Sequence, residues 1–271
     1  MTIDHVTVCG DDLDRMRRAF AEIGLATEYG GAHANGLTHM GVAGFEDGSY
    51  LELIAPMTGA DLTKAAGMMA GWLPLMTENG GAGAWAMRAS EIRERVEALR
   101  ARGIAVRGPE PGGRTRPDGT RLEWETAIVG PEPAGSILPF MIEDRTERGL
   151  RVQVSRNTLG VGGVAAVVIG VRALDQTTQL FRQAYGWEAP AVEDHREFGA
   201  KLAHFRGAPV ILAQASTLGG WLTERVAKFG EGPVGFLFSK SAEFREDDRW
   251  FGMAVGWCSE GMGARIGVIR E

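Results

Sequence analysis

The chain has 271 residues, enough for about two domains, and 44% of them are hydrophobic, enough for ordinary cores. Its net charge is −6 and no lysine/arginine stripe forms, which argues against a nucleic-acid partner. No apolar run approaches the ~20 residues of a membrane-spanning helix, and the two cysteines, Cys9 and Cys258, match no metal or redox spacing, so a reducing cytoplasmic setting is expected.

Residues 2–8 read as a strand. Asp11 or Asp12 can cap a helix reaching about Ile23, with Leu13, Met16, Phe20 and Ile23 on one stripe and Gly24 as the stop. Strands are expected at 27–29, 38–45 and 50–54, the first two joined by the glycine-rich segment GGAHANG. That segment lacks the spacing of a nucleotide loop and opens no helix, so no nucleotide cofactor is expected. A helix is expected over 62–76. The pattern then restarts: a strand at 83–88, Ser90 as N-cap of a helix over 91–101, and strands at 105–107, 122–129 and 137–142, with Pro117, Asp118 and Gly119 as a turn. Residues 2–142 therefore hold two copies of a strand–helix–three-strand module.

Residues 145–161 read as a linker or crossing strand. After it the first half recurs. VAAVVIGVRALDQTTQLF lines up with IDHVTVCGDDLDRMRRAF, and GAPVILAQA with GSYLELIAP. A helix at 221–229 and an abbreviated fourth module starting at 233 and ending in a strand near 264–269 complete the duplicate. The domains expected are 1–150 and 160–271.

Two polar residues interrupt apolar strands of the first half. Alternation puts His5 on a face with Ile3 and Thr7, and Glu52 on a face with Tyr50 and Ile54. Burying an ionisable group without a partner is costly, so a shared metal ion or ligand would account for both. The duplicate places Ala166 at the position of His5 and Leu212 at that of Glu52, so the apolar skeleton does not require the pair. His33 and His39 lie in or beside the glycine-rich segment. Histidine is both the commonest metal ligand and the neutral-pH proton carrier. Arg114 and Arg116 can grip a carboxylate bidentately. Tyr50, Trp85, Trp124 and Phe140 can line an apolar pocket, although ordinary core packing is the commoner role for any one of them. His195 and His204, in the duplicate, read as structural or surface residues.

The motifs IDHVTV, GGAHANGLTH, DGSYLELIAP, RTRPDGTRLEW and ILPFMIED, in this order, resemble the vicinal oxygen chelate superfamily and, within it, glyoxalase-like domain proteins. The resemblance implies an α+β fold of tandem βαβββ modules forming cup-shaped mixed sheets. It also implies a divalent metal (Zn, Fe, Mn, Ni or Co) held by His5 and Glu52, with His33 or His39 as a third ligand. The partner module departs from the pattern: Ala84, Trp85 or Ala86 stands where a second histidine is expected, and Phe140 where a carboxylate is expected. Two readings follow. One is a metal-dependent lyase, isomerase or dioxygenase acting on a small vicinal-oxygen substrate, with Glu52 and His33 catalytic, and His39, Tyr50, Trp85, Arg116, Trp124 and Phe140 contacting the small molecule. The other is a metal-free binding protein of the bleomycin-resistance type. A homodimer is the default expectation.

Overall fold

The computed structural model describes residues 1–116, 118–156, 158, 160–259 and 263–270; Pro117 of the expected turn lies outside them. Among the described residues, strands form two eight-stranded mixed sheets. The first module contributes β1 (Ile3–Cys9), α1 (Leu13–Glu22), β2 (Glu28–Ala32), β3 (Thr38–Gly44) and β4 (Tyr50–Pro56). The second contributes β5 (Gly81–Arg88), α3 (Ile92–Ala101), β6 (Val106–Thr115), β7 (Arg121–Val129) and β8 (Phe140–Asp144), with α2 (Met68–Thr77) between the two. The strand order is β2-β3-β4-β1-β5-β8-β7-β6, so β1 and β5 meet antiparallel at the centre. Both modules of the first cup therefore come from one chain.

The short helix α4 (Arg148–Arg151) leads into the duplicate. There β9 (Val161–Val171), α5 (Leu174–Tyr185), β10 (Ala191–His195), β11 (Ala200–His204), β12 (Val210–Ala215), α6 (Trp221–Phe229), β13 (Gly232–Lys240), β14 (Asp248–Trp250), β15 (Met253–Ser259) and β16 (Arg265–Arg270) repeat the same order. The backs of both sheets share one apolar cluster that includes Val6, Val8, Leu51, Leu53, Phe45, Val167, Ile169, Phe236 and Phe238. No helix among the described residues is long and apolar enough to cross a membrane.

Several expectations change. The helix expected over 62–76 is a 3-10 turn, Leu62–Lys64, followed by α2. Ser90 does not cap α3. Glu143, inside β8, reaches across instead and accepts from the backbone N–H groups of Glu91 and Ile92 at 2.9 and 3.2 Å. The run GPEPGGRT, which reads as loop, extends β6 to Thr115. It is the edge strand of its sheet, where proline's missing N–H costs no ladder bond. Ile3 does not share a face with His5. The pairing of β1 with β5 shifts register between them, and Ile3 joins the shared cluster behind the sheet.

The register also corrects the comparison of the halves. Thr7 pairs with Glu52 in the first sheet and Val168 with Ile211 in the second, so Ile211, not Leu212, stands where Glu52 does. Leu212 faces the shared core instead. The concave face of the second sheet is packed with Phe198 and Trp250, ring centroids 4.8 Å apart, and with Trp221 and Trp257 beside them. The Arg265 guanidinium lies 4.3 Å from the Trp221 ring centroid. Those aromatic side chains fill the second cup.

Candidate functional site

The first cup holds a cavity of about 290 Å³. Its polar wall is made by β1 and β4, which run parallel and place Thr7 beside Glu52 and His5 beside Tyr50. The Thr7 hydroxyl donates to Glu52 Oε2 at 3.1 Å. His5 Nε2 stands 3.9 Å from the same oxygen, and His33 Nε2 stands 3.7 Å from Glu52 Oε1. Both imidazoles are anchored through their other nitrogen, His5 Nδ1 on Asp4 Oδ1 and His33 Nδ1 on Thr38 Oγ1, each at 2.8 Å. The His5 ring stacks on Tyr50 with centroids 4.6 Å apart, and the Phe140 ring meets it nearly edge-on at 5.4 Å. The opposite wall is apolar: Met40, Met68, Met69, Trp72, Phe140 and Ile142.

The charges are held in place. Asp4 is wholly buried. Burial pushes its carboxyl up, but the His5 contact and the charges of Arg151 and Arg148 outweigh that and hold it well below the usual carboxylate range. Arg148 Nη1 and Arg151 Nη2 donate to Asp4 Oδ2 at 2.6 and 2.8 Å; Arg151 also binds Asp144 and the Tyr50 hydroxyl, the latter at 3.0 Å. Burial likewise pushes Glu52 up. His33, the positive potential of His5 and the Thr7 hydroxyl more than offset it and lower its pKa to about 2.

One consequence concerns protons. An ionised Asp4 can only accept, so His5 Nδ1 carries the hydrogen. In the neutral ring, Nε2 then presents a lone pair to an ionised carboxylate 3.9 Å away. Two acceptors then confront one another. A proton on the ring, a cation, or a donor on a bound molecule relieves that opposition.

Of the residues expected at the site, His5, His33, Tyr50, Glu52, Trp124 and Phe140 line this one cavity. Three do not. Trp85 pairs with Val6 on the opposite face of β5, lies in the shared core and donates its indole N–H to the Ile137 carbonyl at 3.2 Å. Ala84 and Ala86, one position either side, take the cup face. His39 is out of phase with Met40 on β3 and meets Tyr29 edge-on outside the cavity. Arg116 lies past the end of β6 and is tied to the Leu150 carbonyl and to Gln153, whereas Arg114, on the strand, lines the cavity. Sequence reasoning missed Asp4 and Arg151. Asp4 abuts His5 in the chain and could have been noticed; Arg151 sits in a stretch that reads as linker.

Two imidazole nitrogens and a carboxylate are donors that suit a divalent first-row ion in kind, and their anchored Nδ1 atoms match the outer contacts of histidine ligands. Their spacing is wider than a closed cage. Among the described residues no group of three or more His, Cys, Asp or Glu is arranged to hold an ion. The partner strands β5 and β8 turn Ala84, Ala86 and Phe140 to the cup, none of them a metal ligand.

Comparisons with known proteins agree on the fold. A hypothetical protein from Staphylococcus aureus matches with a TM-score of 0.68 at 12% identity, covering 98% of each chain. A triple mutant of 4-hydroxymandelate synthase from Streptomyces coelicolor matches with a TM-score of 0.60 at 11% identity, covering 99% of this chain and 92% of that one. No curated protein matches the sequence. The model of the glyoxalase-like domain matches residues 3–185, from β1 through α5, and with the paired-module cups described above it makes the chain a vicinal oxygen chelate protein that belongs to the glyoxalase-like domain family.

Proposed function

We propose that this protein is a glyoxalase-like enzyme that moves a proton on a small, largely apolar substrate bearing two adjacent oxygens. The opposition of His5 Nε2 to Glu52 across 3.9 Å carries the reading, because a substrate hydroxyl seated there brings the one proton that relieves it. Glu52, with its pKa near 2, is too weak a base to carry the proton itself. Its role is to orient the imidazoles and balance their charge. His33 is the proton carrier: its ring is about a quarter exposed, its Nε2 faces Glu52, and it can exchange with solvent. Proton removal from the carbon that bears the hydroxyl and return to the adjacent carbonyl carbon, with the hydroxyl proton passing to the former carbonyl oxygen, is the isomerase-type outcome. A divalent ion held by His5 and Glu52 would add Lewis-acid polarisation of the substrate oxygens and leave His33 free to carry the proton. A binding-only cup would have His5 and Glu52 bonded to each other or to water; at 3.9 Å they stand beyond direct hydrogen-bond reach, which leaves that reading the water-bonded arrangement alone.

The test is deuterium exchange at the carbon next to the carbonyl in small hydroxy-ketones, followed by NMR in heavy water with and without added Zn, Fe, Mn, Ni or Co. His33→Asn should slow exchange by about a hundredfold or more. Absence of enzyme-dependent exchange with every ion would reject the proposal. Elemental analysis of protein purified without chelator decides the ion separately: less than about a tenth of an equivalent, unchanged in His5→Ala, removes it.

A further inference from the structure

The arginines around the first cup are not alike. Arg151 and Arg148 are each paired with Asp4 and Asp144. Arg116 has Asp118 at 3.6 Å besides the Leu150 carbonyl. Arg114 has one acceptor, the Gly30 carbonyl at 2.5 Å, and among the described residues no carboxylate oxygen lies within 4.0 Å of it. A guanidinium carries five N–H donors. Four of them have no acceptor from the described chain, in a group that is mostly shielded from water.

Its position is fixed by the sheet. Arg114 pairs with Leu122 and Gly112 with Trp124 across β6 and β7, so Arg114 and the Trp124 indole border the same hollow. Arg114, Val42 and Arg151 also line a second hollow of about 240 Å³, open beside the first. Arg114 thus borders both hollows. Burial lowers the pKa of Arg114, as it does for a cation lacking full compensation. A partly desolvated charge without a counter-ion is costly, and an anion on the ligand offsets that cost.

We propose that Arg114 is the anion-recognition residue of the cavity and that the natural ligand is a carboxylate with an apolar body. The planar fork of one guanidinium matches one carboxylate bidentately. A phosphate fits less well, because no lysine and no second unpaired arginine lines the cavity to share its extra charge. Where the ligand's vicinal oxygens sit rests on the proposed function; the carboxylate at Arg114 does not.

Binding is the readout, independent of turnover. Phenylpropanoate, phenylbutanoate and phenylpentanoate are titrated calorimetrically against their primary amides, which keep the shape and lose the charge. At least one acid should bind about tenfold or more tighter than its amide. Arg114→Met should abolish the difference, and Arg114→Lys, which keeps a point charge, should retain part of it; circular dichroism confirms that each variant is folded. Because binding is read here and exchange at carbon is read for the proposed function, loss of the preference and absence of enzyme-dependent exchange are separate results, and either reading can fail alone. Equal binding of acids and amides, no binding by either series, or a preference surviving in Arg114→Met overturns the proposal. Should Arg114→Met fail to fold, a wild-type preference that Arg114→Lys leaves at full strength overturns it too.

Discussion

Asp4 has no exposed surface, and its two oxygens are divided between the His5 ring and a pair of arginines. Replacing it by Asn leaves two guanidinium groups facing an amide in a dry site. The expected loss is about 3–5 kcal/mol, read from urea unfolding. Because the anchor on Nδ1 also weakens, the same variant should slow proton exchange even at temperatures where it is fully folded. Glu52 gives a pH signature. Its pKa falls from 4.5 to about 2 on folding, so the folded state favours the ionised form. That contribution is fully present above the unfolded value and is lost as pH falls through the folded one. The stability gap between wild type and Glu52→Gln should therefore shrink as pH falls between about 4.5 and 2. A gap that is flat across that window would show that Glu52 is not held ionised by its neighbours.

Among the elements, β6 shows how a glycine sets a wall. A Cβ on Gly112 would come 2.5 Å from Trp124 Nε1, so the indole lies flat over that glycine and faces the cup. Gly112→Ala should displace it, costing about 1–3 kcal/mol and shifting the tryptophan emission on ligand binding, measurable by fluorescence titration. This strand was not legible beyond Arg107, because proline and glycine in a run speak for a loop and nothing local reveals that the run sits at a sheet edge. Helix α1 is the opposite case. Its cap, stripe and stop are all local, and Asp12 accepts from the Arg15 backbone N–H at 2.8 Å as its position suggests. Asp12→Ala should cost about 1 kcal/mol by thermal unfolding.

At the scale of the molecule, the two cups stand back to back on one apolar cluster. Phe45 and Phe238 meet across it with centroids 5.4 Å apart, and the Ser49 hydroxyl accepts from the Val164 N–H at 2.9 Å. The halves should therefore unfold together. Phe238→Ala should cost about 3–5 kcal/mol and lower the midpoint seen by ligand binding in the first cup and by near-UV ellipticity of the second to the same extent. Two separated transitions would show that the cups are independent. The role of the second sheet follows from what fills it: with its hollow packed by Phe198, Trp250 and their neighbours, it supports the first from behind.

The repeated modules, the order of strands and helices, and the polar pair His5 and Glu52 were written in the chain itself, because hydrophobic period, caps and turns are local signals and a duplication is its own reference. Which histidine joins that pair was not. His33 and His39 are indistinguishable by type and neighbourhood, and only the phase of β3 and the course of the loop before it bring one to Glu52 and turn the other away. The same holds for Trp85 against Trp124, for Arg114 against Arg116, and for Asp4, whose meaning depends on two arginines more than 140 positions distant. Side-chain phase along a strand is settled by register and bulges, and those are fixed by pairing between segments far apart in the sequence.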